Sequence, residues 1–195
     1  MGGEEKAKKE ALEIISQFQK LPRLVVFDLD YTLWPFYCEC CDEDETPYLY
    51  QHAKAILLAL KEKGIDIAIA SRSPTPQIAK TFLDKLGIRS MFVAEEIFSS
   101  WTHKTEHFQR IHRRTGVPFS SMLFFDDEDR NIEADGNTCI QQAFLKIKYF
   151  SNNHPLPQRR RKSEDNMINY ELVLQNETMN HVVNCYWQIQ TLIQA

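Results

Sequence analysis

The sequence predicts an α/β fold, an open parallel sheet wrapped by helices, and three observations predict it. Short apolar runs rich in β-branched and aromatic residues (24–27, 65–70 and 122–125) have the composition of strands buried on both faces. Segments with apolar residues at helical spacing alternate with them, the pattern of right-handed βαβ units. Each run also stops at a polar group: Asp28-Leu29-Asp30, Ser71-Arg72-Ser73 and Asp126-Asp127. Open α/β sheets hold their ligands at the carboxyl ends of strands, so these groups form the candidate site.

Residues 1–20 are expected to be an N-terminal helix, helical from 4 to about 20. Leu12, Ile15 and Phe18 make a thin apolar stripe that docks outside the core, and Pro22 halts the helix. The first strand then runs into Asp28 and Asp30. On an extended chain the i, i+2 spacing puts both carboxylates on one face, with Leu29 on the other. Like charges so close need a cation between them or a retained proton. Either remedy serves chemistry: a carboxylate can form an acyl phosphate, and a neighbouring acid can protonate a leaving oxygen. An isolated Asp-x-Asp would more commonly mark an acidic turn; the later strand ends raise it above that.

The Pro-broken aromatic stretch 33–37 reads as loop or short hairpin. Cys38-Glu39-Cys40-Cys41-Asp42-Glu43-Asp44-Glu45 lacks the second ligand pair of a zinc site and reads as a solvated loop at the site mouth. Such a short polar insertion makes at most a small lid, so the site is open. A helix follows from Tyr48 to Lys63, closed by Gly64. After the second strand, Ser71, the next backbone N–H groups and a helix N-terminus form a cradle for an oxyanion, in competition with a plain N-cap serine. Gly87 ends that helix, and 91–94 is a third strand. Lys104 sits in the first turn of the next helix, against the dipole, where a fixed cation would reach a transferred phosphoryl group. His103, His107 and His112 read as surface or partial-core residues. The strand ending in Asp126 supplies, with Asp28, the one or two carboxylates that Mg²⁺ prefers.

Asp28-Leu29-Asp30-Tyr31-Thr32, Ser71, Lys104 and Asp126-Asp127 match, in order, the four motifs of the haloacid dehalogenase superfamily. More closely, residues 27–36, Ala70-Ser71-Arg72, 115–119 and 124–132 resemble its eukaryotic magnesium-dependent phosphatases. The resemblance covers about residues 21–134. It implies a three-layer Rossmann-like open parallel sheet with a minimal cap. It also implies an Mg²⁺-dependent phosphomonoesterase working through an aspartyl-phosphate. Asp28 would be the nucleophile and Asp30 the acid and base. Lys104 would offset charge on Asp28 and phosphate, Ser71 would hold phosphoryl oxygens, and Arg72 would face the substrate. Mg²⁺ would be held by Asp28, the Asp30 carbonyl and Asp126, with Asp127 in support. The implied substrates are protein phosphotyrosine or a phosphorylated sugar carried on an amine.

The far end departs from that pattern. Asp135-Gly136-Asn137 interrupts the expected helix, and 138–140 with 143–145 imitate the missing strand over a connection too short for the usual crossover helix. The phosphatase domain is expected over 21–150, with 151–195 a divergent, poorly ordered tail. Such an altered C-terminus leaves one sheet edge and one helix face poorly covered. The basic run 159–162 leaves nuclear entry open beside a plain charge cluster.

With 195 residues, 43% hydrophobic, the chain suits one globular domain. A net charge of −4 gives no pull toward nucleic acid or an anionic membrane. No apolar run approaches the length of a transmembrane helix and no leader pattern is seen, so a soluble cytoplasmic monomer with reduced cysteines is expected. Two other functions stay open: a catalytically impaired isoform of the phosphatase, and a non-enzymatic phosphoacceptor module.

Overall fold

β1 (Leu24–Phe27) is the centre of a five-stranded parallel sheet. β2 (Asp66–Ser71) and β4 (Met122–Asp126) flank it, while β3 (Ala94–Ile97) and β5 (Gln141–Phe144) form the edges. The computed structural model describes residues 2–17, 21–100, 104–127 and, as backbone, 141–144. The strand order β3-β2-β1-β4-β5 steps outward from β1 in one direction, then restarts on its other side. At that reversal, between β1 and β4, an open sheet leaves a crevice beyond its strand ends.

Period-two alternation divides the core into two layers. Val25 and Phe27 pack with α1 (Gly3–Ile15), α2 (Ala53–Glu62) and α3 (Pro76–Lys85). Leu24 and Val26 face the other way, toward α4 (Thr105–Thr115). The register keeps these faces aligned across strands: Val26 lies opposite Ala68 and Phe124, and Phe27 opposite Ile69 and Phe125. Phe27 and Phe125 stack at 5.2 Å. Each such fully buried ring contributes roughly 1.5–3 kcal/mol. Gly116 ends α4 with φ 68°, the left-handed conformation that a residue without Cβ adopts at no steric cost.

Several expectations shift. α1 stops at Ile15, and Ala11, Ile14 and Ile15 belong to the main core, because the helix lies against α2. Lys8–Glu62 at 2.7 Å and Lys63 to Ser16 at 2.6 Å fasten the pair. α2 begins at Ala53, five residues later than its spacing suggested. The third strand is 94–97, since residues 89–91 form a 3₁₀ turn. β5 takes Ala143 and Phe144 and pairs in parallel with β4, so that edge of β4 is covered. Phe18, His103, the 135–137 interruption and the tail from 145 lie outside the described residues. Among the described residues, no helix is long and apolar enough to cross a membrane.

Candidate active site

The sheet register itself builds the site. Asp28 follows Phe27 directly and its N–H donates to the Phe125 carbonyl at 2.9 Å, so β1 and β4 stay in step as they end. Asp28 and Asp126 share the parity of Val26 and Phe124, which places both on the α4 side of the sheet. There the buried Lys104, N-cap of α4, donates to Asp28 Oδ1 at 2.8 Å and Asp126 Oδ2 at 2.7 Å. Its Nζ lies 5.1 Å from the centre of the Phe124 ring. Lys104 thus stands at the N-cap position rather than in the first turn, and two carboxylates account for a cation there.

Asp28, Asp126 and Asp127 bring carboxylate oxygens within 4.8 Å of one another, and Lys104 is the single ammonium set between the first two. Burial pushes the Asp28 carboxyl up to about 8 against the pull of Lys104, and the Asp126 and Asp127 charges add to the rise. Burial acts to lower the Lys104 ammonium, but Asp28 and Asp126 outweigh it and hold it above the usual lysine range. The all-oxygen donor set of these three acids suits a hard divalent cation.

Asp30 is held differently. Beyond β1 the chain turns around the Leu29 carbonyl, which accepts from the N–H groups of Thr32, Leu33 and Trp34. Tyr31 adopts φ 55°, a strained conformation for a side-chain-bearing residue, worth about 1–3 kcal/mol. The turn brings the buried Trp34 indole back to donate to Asp30 Oδ1 at 2.7 Å. The Cys38 N–H donates to the same oxygen at 3.2 Å. Burial raises the Asp30 carboxyl, with the Trp34 and Cys38 bonds opposing. A raised carboxyl holds its proton more readily than a free one.

Asp28, Asp30, Ser71, Arg72, Lys104 and Asp127 line one open cleft of about 150 Å³, joined by Tyr37, Glu39, Ser73 and Pro74. Ser71 is buried at the end of β2, and its Oγ accepts from the Ser73 N–H at 3.3 Å. The cleft is walled by the 71–74 loop, with α3 beginning only at Pro76. The acidic insertion is fastened rather than free: Lys85 donates to the Glu43 and Glu45 carbonyls, and Thr81 to Glu43 Oε1. It leaves the mouth open.

Two residues read as peripheral lie at the heart of this geometry. Cys38, expected in a solvated loop, is fully buried against Asp30 and Ser73, and burial followed by the Asp30 charge pushes its thiol up to about 12. Nothing in the acidic, cysteine-dense stretch distinguished it from Cys40, which is exposed. His107 is also fully buried, stacked on Phe98 at 3.8 Å between ring centres. Its Nε2 lies 2.9 Å from the Ser71 carbonyl and 3.1 Å from that of Phe98. Since carbonyls only accept, Nε2 carries the proton, and His107 ties α4 to the end of β2. Its position one helical turn beyond Lys104 was the available signal.

Burial lowers His107 to about 4. The unfolded chain takes up this proton near pH 6.5 and the folded protein only near 4, so stability falls as pH drops between those values. The expected loss is at most roughly 3 kcal/mol, read as the difference in urea midpoints between the parent and His107→Gln across pH 7 to 4. A pH-independent difference would show that His107 titrates alike in both states.

A family model described as Acid Phosphatase matches residues 20–48 and 40–147. The chain is 37% identical over 141 residues to human Magnesium-dependent phosphatase 1, spanning 62% of this chain and 78% of that protein. It is 32% identical over 164 residues to a HAD-like hydrolase superfamily protein of Schizosaccharomyces pombe, spanning 69% and 95%. Among solved structures it is similar to the N-terminal part of a Bacteroides fragilis protein containing a phosphatase domain complexed with Mg. The TM-score is 0.50 at 18% identity, over 72% of this chain and 39% of that one. It is similar also to a Haemophilus somnus protein described as a predicted phosphoglycolate phosphatase, with TM-score 0.51 and 17% identity over 65% and 85%. At those identities the two structures speak for the fold.

Proposed function

The chain belongs to the Acid Phosphatase family, among the magnesium-dependent phosphatases of the haloacid dehalogenase superfamily, and from that premise we propose that it hydrolyses phosphomonoesters through Asp28. One observation carries the reading: a buried lysine bonded to carboxylates on two adjacent strand ends, at the sheet's reversal point. Asp28 Oδ attacks phosphorus, and the bond to the leaving oxygen breaks as Asp30 gives that oxygen its proton. Water then attacks the aspartyl-phosphate while Asp30 takes the water's proton, releasing phosphate and restoring Asp28. Ser71 and the Arg72 backbone N–H orient the phosphoryl oxygens, and Lys104 balances the charge gathering at Asp28. Mg²⁺ held by Asp28, the Asp30 carbonyl, Asp126 and Asp127 would supply electrostatic stabilisation of the phosphoryl group.

A phosphotyrosine substrate is favoured by the mouth of the cleft. Tyr37, 44% exposed, meets Tyr31 edge-on at 4.7 Å and offers an aromatic face to a flat leaving group. The fastened insertion leaves space for a peptide. A phosphorylated sugar carried on an amine is the second reading, because Glu39 lines the same cleft and would pair with an ammonium.

The test is hydrolysis of p-nitrophenyl phosphate with Mg²⁺ and with excess chelator, followed by kcat/KM for a phosphotyrosine peptide against a phosphorylated sugar amine. Turnover that chelation abolishes, with the peptide preferred, is the expected result. Metal-independent turnover would overturn the mechanism, and a folded protein without turnover would point to an impaired isoform or a binding role.

A further inference from the structure

The structure assigns to Cys38 the positioning of the Asp30 carboxyl, through a hydrogen-bond chain that crosses from the start of α3 to the leaving-group side of the cleft. The assignment rests on Asp30 acting as the acid of the proposed reaction. Asp30 lies in the irregular turn beyond β1, just before the strained Tyr31, so no regular strand or helix sets its orientation. Side-chain and loop bonds must do so. The Thr75 N–H donates to Ser73 Oγ at 3.3 Å. Ser73 Oγ lies 3.0 Å from Cys38 Sγ, and Cys38 Sγ lies 3.8 Å from Asp30 Oδ2. In the ionised form of Asp30 the carboxylate only accepts. A thiol proton on Oδ2, with the Ser73 hydroxyl donating to sulfur, satisfies every group of the chain. Thr75 Oγ1, 3.2 Å from Ser73 Oγ, is the other acceptor within reach of that hydroxyl.

The two oxygens of Asp30 then have different tasks. Oδ1 takes both short bonds, from the Trp34 indole at 2.7 Å and the Cys38 N–H at 3.2 Å. Oδ2 is left to exchange a proton with substrate, and the long thiol contact steadies it without competing strongly for it. Cys38 also joins two loops distant in sequence, the turn that carries Asp30 and the 71–74 wall that faces the phosphoryl group. A shift of about 1 Å in a catalytic group costs on the order of 10²-fold in rate, so a link of this kind has a measurable consequence.

The experiment separates positioning from plain core filling through the leaving group. The value of kcat/KM reports the steps through cleavage of the ester bond; p-nitrophenolate departs unaided, whereas the alkoxide of glycerol 2-phosphate needs a proton. In Asp30→Asn the aryl-to-alkyl ratio of kcat/KM should rise by about 10²-fold or more. Cys38→Ala should raise the same ratio by about 5- to 10-fold, and Cys38→Ser, which keeps a donor, should stay within about twofold of the parent. If Cys38→Ala does not fold, Ser73→Ala tests the link from its other side and should raise the ratio too. A steep ratio in Asp30→Asn with equal losses on both substrates in the Cys38 and Ser73 variants would overturn the assignment. An unchanged ratio in Asp30→Asn would remove the acid role of Asp30 itself, and the assignment with it.

Discussion

Asp28→Asn is expected to lower turnover of p-nitrophenyl phosphate by at least about 10³-fold while leaving the thermal stability of the metal-free protein unchanged or higher. The loss follows from chemistry: an amide oxygen is a poor nucleophile and its acyl phosphate cannot form. The stability result follows from the charge count. Asp28 is buried and shares Lys104 with Asp126, while Asp127 lies in the same cluster. Converting one acid to a neutral group of the same shape leaves Lys104 with a better-matched partner and relieves repulsion among the rest. Functional groups that cost stability are a known feature of active sites. Thermal melts in chelator, beside the activity assay, check both halves. Near-normal turnover would remove Asp28 as nucleophile, and a large drop in melting temperature would show that its charge holds the fold.

The second large effect runs the opposite way in stability. Lys104→Met keeps an apolar stem over Phe124 but removes the ammonium bonded to Asp28 and Asp126. Removing one partner of a buried ion pair leaves uncompensated charge, worth about 3–5 kcal/mol of destabilisation. Activity should fall by at least about 10²-fold, because charge developing at the phosphoryl group loses its fixed cation. Added Mg²⁺ should recover part of the lost stability by neutralising the same carboxylates, and more so than in the parent. Urea unfolding with and without Mg²⁺ measures this. An Mg²⁺ response no larger than the parent's would show that Lys104 and the metal do not answer to the same charges. The two variants together distinguish a nucleophile from a charge-balancing residue, since both lose turnover and only one loses stability.

The sequence by itself determined the architecture and most of the site. Strands buried on both faces must be apolar throughout, so β1, β2 and β4 stood out, and the break in apolar pattern at Asp28, Ser71 and Asp126 marked their carboxyl ends. Lys104 was legible because a lysine at a helix start opposes the dipole and so calls for a partner. β3 was misplaced because an edge strand reading Ala-Glu-Glu-Ile carries two half-buried acids and no continuous apolar run. The end of α1 and the start of α2 also differ from expectation, since local spacing fixes a helix's existence better than its ends.

Only the tertiary structure decided what surrounds the acid and the phosphoryl cradle. Cys38, Ser73 and His107 act across the fold, through the bonds of Cys38 to Ser73 and His107 to Ser71, and composition along the chain carries no trace of such pairings. A periodic pattern reports which face of an element is buried. Which polar group meets which across two loops depends on how the sheet register and a strained turn at Tyr31 bring distant residues within hydrogen-bond reach, and that is settled only when the chain has packed.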